Sequence, residues 1–463
     1  MKPILLIDFG STYTKLTAVD VESATLLGTA AAYTTVQTDI NEGLEEGLRK
    51  LEQQTGKLTY DKCYACSSAA GGLRMITSGL VPELTGEAAK LASLGAGAKV
   101  VGVYAFQLTE DDLEDIRQAK PDIFLLVGGT DGGNTECILH NAKALASMQP
   151  DFPIVIAGNR TAARQCQRIL EGCEVYVCPN VMPKFGVLNI EPTQKQIREI
   201  FLNRIIRAKG LSKAAQLLSD IMMPTPSAVL QAMELLAQGC EGEPGIGDLI
   251  AVDVGGATTD VYSIADGMPE HMNTVYKGLP EPYAKRTVEG DIGMRYSIRG
   301  IVEAAGIHRV CQLSGLTQQR AQELIEYLAN HTDAVPGEDT QLKNLDYALA
   351  SLAIEEAVTR HAGTIQETYT MMGKTYVQEG KNLTKVKQIV VTGGSLIHTE
   401  KTQEIAAHAL YSPQNAESLR PREAAVWVDR TYILAAMGLL SSYYPQAALR
   451  VMKKELEYHG YSE

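Results

Sequence analysis

The stretch IDFGSTYTK, Ile7 to Lys15, and its counterpart VDVGGATTD, Val252 to Asp260, decide how this chain is read. Each follows an apolar run with the character of a buried strand, and each reaches a glycine turn through an aspartate. Gly10 allows a tight turn without a side chain. The amides of Gly10 to Thr12 are therefore expected to point inward as a nest for phosphate oxygens, with Ser11, Thr12 and Thr14 as hydroxyl donors and Lys15 as a charge. The competing reading is a plain hairpin whose Ser and Thr satisfy the turn backbone. The second copy offers another nest over Gly255, Gly256 and Thr258, followed by Thr259, and two carboxylates, Asp253 and Asp260.

A second pair of motifs recurs in the same order. LLVGGT, Leu125 to Thr130, and VVTGGS, Val390 to Ser395, are apolar strands ending in a double glycine and a hydroxyl residue, so duplication is the simpler account. Duplicated phosphate turns point to a nucleotide in a cleft between two related halves. If the halves face each other, Asp8 and Asp253 project toward the same phosphates, and their repulsion calls for a cation. Mg²⁺ suits the site, because it takes one or two carboxylates together with phosphate oxygens and water. Gly393, Gly394 and Ser395 offer close-approach backbone suited to a ribose or an adenine face. Glu289, Gly290, Asp291 and Gly293 in TVEGDIGMR form either a fourth nucleotide loop or a plain acidic turn.

The rest of the chain alternates strand and helix. After strands near Thr14–Val19 and Ala24–Thr35 comes a helix over Asn41–Thr55. From Lys99 to about Pro179 the order strand, helix, strand predicts a parallel sheet covered by helices. A helix opened by Pro226 and Ser227 is expected over Pro224–Ala237, and the Gly, Pro and acid-rich loop Glu241–Asp248 marks a boundary. The expected domains are residues 1–240, with an inserted or extended α/β segment at about 70–180, and residues 241–463.

At 463 residues, two or three domains are expected. A net charge of −13 argues against broad attraction to nucleic acid or anionic membrane. Met1, Lys2 and Pro3 lead straight into the first strand without a signal peptide, and no apolar run spans a bilayer, so a cytoplasmic location is expected. The eight scattered cysteines fit reduced thiols. Cys63 and Cys66 form a CxxC inside an apparent strand, which disfavours a redox or metal role. His361 is expected to be solvated or in the core, and Trp427 to serve packing.

The order DxGST, DxGGxTTD, TGGS in duplicated halves resembles the superfamily of actin, sugar and acetate kinases, hexokinase and heat-shock chaperone ATPases. That resemblance implies an α/β fold of two ribonuclease H-like (actin-like ATPase) domains clamping ATP and Mg²⁺. Matched residue by residue, it implies that Asp8, Gly10, Ser11, Thr12 and Lys15 form the first phosphate loop. Asp253, Gly255, Gly256, Thr258, Thr259 and Asp260 form the second, and Gly393, Gly394 and Ser395 the adenosine loop. Asp8 and Asp253 are then the catalytic and metal-associated carboxylates, with Gly290 and Asp291 beside the nucleotide.

A narrower resemblance covers nearly the whole chain. CSSAAGGLRM, LLVGGTDGGN, AGNR, NVMPKFG, MPTPSAV, TVEGDIGMR and DRTYILAAMGLLS are together similar to the glutamate mutase accessory proteins, the MutL or GlmL family. The family implies an ATP-dependent, chaperone-like partner that restores an adenosylcobalamin-dependent carbon-skeleton mutase. GGTDGGN departs from the simple kinase pattern and reads as a mobile, backbone-rich loop or as ordinary turn chemistry. A small-molecule kinase on the same scaffold is the alternative function, with Asp253 or Asp131 as conceivable base. A nucleotide-ordered scaffold protein ranks last.

Overall fold

The computed structural model describes residues 1–10, 13–34, 40–68, 73–208, 220–270, 272–371 and 373–461. They fall into two compact units. One gathers Met1–Ala232, Gly278–Pro280 and Leu434–Val451; the other gathers Met233–Lys277, Glu281–Ile433 and Met452–Glu463.

In the first unit, the run before Gly10 becomes β1 (Pro3–Phe9), buried along its length. It pairs antiparallel with β2 (Tyr13–Asp20), and β2 pairs antiparallel with β3 (Thr25–Tyr33). On the other side of β1 lies β4 (Lys62–Ser67), parallel to it, and beyond β4 comes β10 (Asp220–Pro224), also parallel. The sheet order is β10-β4-β1-β2-β3. A strand covered on both faces needs a continuous apolar sequence, and ILLI supplies it. Helix Ile40–Thr55 lies against β2 and β3.

A separate sheet is inserted between β4 and β10. Its strands β5 (Leu73–Gly79), β6 (Ala98–Ala105), β7 (Ile123–Leu126), β8 (Ile154–Ile156) and β9 (Val175–Val177) are all parallel, in the order β6-β5-β7-β8-β9. This is a doubly wound arrangement whose order reverses between β5 and β7. Helix Glu110–Ala119 begins at a capping box, with Thr109 and Asp112 satisfying each other's backbone amides. The parallel sheet expected from strand–helix alternation is present, with β5 as an additional strand ahead of Lys99.

The second unit opens with a short ribbon, β11 (Gly239–Cys240) and β12 (Glu243–Pro244). Its main sheet contains β13 (Leu249–Val254), β14 (Thr259–Ile264), β16 (Ala284–Glu289), β19 (Gln388–Thr392), β20 (Ala425–Val428) and β21 (Glu457–Tyr461), in the order β16-β14-β13-β19-β20-β21. β13, β14 and β16 are antiparallel neighbours, β19 and β20 run parallel to β13, and β21 adds an antiparallel edge. Helix Thr340–His361, 22 residues long, packs on β13 and β14. A small sheet of β15 (Thr274–Lys277), β18 (Gly373–Glu379) and β17 (Thr364–Thr370) completes the unit.

Three antiparallel strands followed by two parallel ones, in the spatial order third, second, first, fourth, fifth, is the ribonuclease H-like scheme. Setting aside the edge strand β21, β3-β2-β1-β4-β10 and β16-β14-β13-β19-β20 follow it in the same order. The fold is therefore α/β with a duplicated ribonuclease H-like sheet, as the paired motifs imply.

Candidate functional site

The second glycine turn joins β13 to β14. The Gly255 amide donates to the Thr258 carbonyl at 2.9 Å, and the Gly10 amide makes the same bond to Tyr13 at 3.1 Å in the first copy. Both glycine amides thus serve the turn itself. The outward donors are the next three: among the described residues, the amides of Gly256, Ala257 and Thr258 meet no acceptor, and Gly256 and Ala257 are exposed. Consecutive backbone amides in a turn can serve an anion. Asp253 is half-buried at the strand end beside them.

Asp253 and Asp260 are direct cross-strand neighbours, an arrangement that like charges disfavour. Arg286 on β16 offsets it. Its Nε donates to Asp260 Oδ1 at 2.8 Å and its Nη2 lies 2.6 Å from the same oxygen, with both side chains largely buried. Burial works against the charged guanidinium, but Asp260 and Tyr262 more than offset this and raise its pKa. Asp260 is thereby fixed by an ion pair, with Thr258 Oγ1 at 3.5 Å from its other oxygen.

The TVEGDIGMR loop lies against this turn. The amides of Met294, Arg295 and Tyr296 donate to the carbonyls of Gly255 and Gly256 at 2.8 to 3.0 Å. Gly293 sits so close that a Cβ there would overlap the Ala257 backbone. Arg295 anchors the loop through a bidentate pair with Asp346 at 2.9 and 3.1 Å. Gly290 accepts from Ser297 Oγ, while Asp291 and Glu289 share Arg360 Nη1 at 2.8 and 2.9 Å. The loop's first structural task is to brace the glycine turn.

The third turn follows β19, which neighbours β13 with Asp253 opposite Thr392. Gly393 has φ of +106°, and a Cβ would overlap the Val254 carbonyl, so only glycine fits. Gly394 is exposed and opens a single helical turn, Gly394–Ile397. Ser395 Oγ is buried without a hydrogen-bond partner. The next strand, β20, is followed by Asp429, almost fully buried, which accepts from the Ile433 amide at 3.0 Å and from Thr392 Oγ1 at 3.5 Å. Sequence reasoning quoted DRTYIL but did not single out Asp429 or Tyr432. The signal was present, since VWVD repeats the apolar-run-then-aspartate pattern of LLID and AVD.

In the first unit, Asp8 is buried and its Oδ1 accepts from Thr225 Oγ1 at 2.6 Å and from Cys66 Sγ at 3.4 Å. Thr225 opens helix Thr225–Gln238 after β10, and sequence reasoning did not find it. Lys15 is the cross-strand neighbour of Asp8. Ser11 and Thr12 lie outside the described residues.

The other candidates have structural roles. GGTDGGN is pinned: Asn159 Oδ1 accepts from the Gly132 amide while its Nδ2 donates to the carbonyls of Gly133 and Asn134, each at 3.1 Å. Asp131 accepts from the Arg160 amide and from Asn180 Nδ2 at 3.0 Å. The loop is closed by hydrogen bonds of ordinary turn chemistry, and the Asp131 carboxylate accepts from two donors. Cys63 and Cys66 are three positions apart on β4 and so face opposite sides of the sheet. Both are buried, and burial pushes the Cys63 thiol up to about 12. Trp427 packs on Tyr458 and donates to Gln388.

His361 is a core histidine, held by Thr287 Oγ1 and Ser263 Oγ at 2.8 Å each. Burial lowers its pKa well below 6.5, with Lys285 and Lys381 adding to the effect. Lys381 is fully buried against the carbonyls of Pro282, Tyr283 and Ser263, and burial, reinforced by Lys285, pushes its pKa down to about 7. Between that value and the unfolded 10.5, the unfolded chain binds the extra proton. Stability should therefore rise with pH across this window by about 1.4 kcal/mol per unit, and His361 should add an acid penalty below pH 6.5. Denaturant titrations from pH 7 to 10 should show the slope, and Lys381→Met should flatten it.

Among the described residues, no helix is long and apolar enough to cross a membrane. The family model described as MutL protein matches residues 4–456. The chain belongs to the MutL protein family. A family member from Clostridium tetanomorphum, Protein MutL, is 48% identical over 460 residues, covering 98% of this chain and 99% of that one. Solved structures are far more distant from this MutL-family chain. Xylulose kinase from Lactobacillus acidophilus aligns at 10% identity and a TM-score of 0.38, over 100% of this chain and 93% of the kinase. The activator of the 2-hydroxyisocaproyl-CoA dehydratase from Clostridium difficile, with bound ADPNP, aligns at 9% and 0.34, over 98% of each chain. The fold assignment for this MutL-family chain rests on its own strand order.

Proposed function

We propose that this chain binds ATP with Mg²⁺ through the carboxyl-end turns of its ribonuclease H-like sheets, hydrolyses it slowly, and acts as an accessory factor. Its partner would be an adenosylcobalamin-dependent carbon-skeleton mutase. The observation that supports nucleotide binding is the row of Gly256–Thr258 amides, which meet no acceptor among the described residues, beside the half-buried Asp253 at a strand end adjoining the Gly393–Ser395 turn. In open α/β sheets, ligands bind outside the carboxyl ends of the strands. The mutase partner is proposed from family membership.

In this reading the Gly256–Thr258 amides bind phosphate oxygens, and Gly393, Gly394 and Ser395 receive the adenosine. Lys15 adds charge at the first turn, where Thr225 orients Asp8. Asp253, at the second turn, is the carboxylate that would hold magnesium, which when bound neutralises and orients the triphosphate. Among the described residues no group of three or more His, Cys, Asp or Glu could hold a metal ion by itself, so an ion here would take phosphate oxygens and water beside the carboxylate. A cytoplasmic setting suits a nucleotide-dependent enzyme partner.

The test is calorimetric titration of the purified chain with ATP and Mg²⁺, followed by phosphate-release assays with and without a cobalamin mutase. Saturable binding and faster release with the mutase are expected; a chain that takes up no ATP would end the proposal. Gly255→Val should abolish binding. Even a Cβ there stands 3.0 Å from the Thr258 carbonyl oxygen, so the added methyls distort the turn whose amides receive phosphate.

A further inference from the structure

We infer that Tyr432 is a positioning residue whose hydroxyl, seated against the Gly393–Ser395 turn, holds Asp253 in the arrangement that receives magnesium–ATP. The inference rests on the ATP reading above and names a residue that no sequence motif singled out.

Three adjacent parallel strands, β13, β19 and β20, deliver their carboxyl ends to one edge of the sheet. They bring Asp253, then Gly393 to Ser395, then Asp429 to Tyr432. Tyr432 adopts φ of +54°, a conformation that bulky L-residues avoid and that persists where the surroundings enforce it. The enforcing contact is at hand: the buried Asp429 accepts from the Ile433 amide, which immediately follows the strained residue. A backbone held this way aims the phenol at a fixed point. Its oxygen lies 3.4 Å from where a Cβ on Gly394 would stand, so it borders the backbone of the exposed Gly394. Asp253 and Asp429 are both near enough for their charges to act on the phenol. A phenol hydroxyl bordering the glycine turn, on the sheet edge that also carries Asp253, is placed to donate a hydrogen bond.

Two further hydroxyls support a ligand on this edge. Ser395 Oγ, in the turn, and Thr431 Oγ1, one residue before Tyr432, are buried, and among the described residues neither has a hydrogen-bond partner. Buried polar groups are rarely left in that state unless something else satisfies them. A nucleoside seated on the turn would offer ribose and base acceptors to these hydroxyls. Its phosphates would run toward Asp253 past the tyrosine.

Tyr432→Phe keeps the ring and its packing and removes only the donor. Calorimetry on the full chain should compare ATP binding with and without Mg²⁺ for wild type and variant. The expected result is a roughly tenfold loss in the affinity gained from Mg²⁺, the scale of one hydrogen bond to a charged group, with magnesium-free binding and thermal melting little changed. An equal magnesium-dependent gain in both proteins would overturn the role of Tyr432 while leaving the ATP reading intact. A wild-type chain that binds no ATP would remove the ATP reading, and this inference with it. A purely packing role would move neither affinity.

Discussion

Asp253→Asn should lower ATP hydrolysis by roughly two to three orders of magnitude, the scale seen when an electrostatic group acting on a developing charge is removed. The fold should survive. Asp253 stands directly across the strand pair from Asp260, so removing its charge relieves a repulsion rather than opening a hole. The melting temperature is therefore expected to stay level or rise while turnover collapses. That opposition separates a working carboxylate from a structural one, because stability is often sacrificed at functional sites. Phosphate-release kinetics alongside calorimetric melting provide the check, and a variant that turns over ATP at the wild-type rate would remove Asp253 from the mechanism.

Arg286→Met should have the largest effect on stability. The substitution keeps an unbranched apolar side chain in a buried position but strands Asp260 without its cation and beside Asp253. Breaking a buried pair from one side costs about 3 to 5 kcal/mol, because the remaining charge stays desolvated. Asp260→Asn in the same chain should recover much of the loss, since the uncompensated charge is then gone. Equilibrium denaturation of the wild type and both variants tests this, and additivity of the two single changes would show that the residues are not coupled.

How far the residues themselves announced this architecture differs from element to element. The apolar runs ending at Asp8 and Asp253 could be read directly, because a strand covered on both faces must be continuously apolar and a tight turn with no room for a side chain needs glycine. Helix Glu110–Ala119 was equally legible from the alternation of strand and helix after Lys99. The GGTDGGN loop was not: its glycines suggest freedom, and the hydrogen bonds from Asn159, Arg160 and Asn180 that tie it down come from residues distant in sequence. Arg286 was likewise invisible, since strand pairing sets it opposite Tyr262 and so within diagonal reach of Asp260. Helix Leu434–Ser441 is apolar on every side, so no periodicity tells which surface receives it; it packs against β1 and β4, with Gly438 close against the Ala228 backbone.

By itself the sequence determined the duplicated strand–turn–strand elements, the α/β class and the family, because these follow from local stereochemistry and from residue order along the chain. Only the tertiary structure decided which turn amides meet no acceptor, which carboxylates are already engaged, that Thr225 reaches Asp8, and that Asp429 reaches Thr392. The reason is physical. A hydrogen bond or ion pair between residues far apart in the chain depends on sheet order and register, and neither is encoded in the neighbourhood of any one residue.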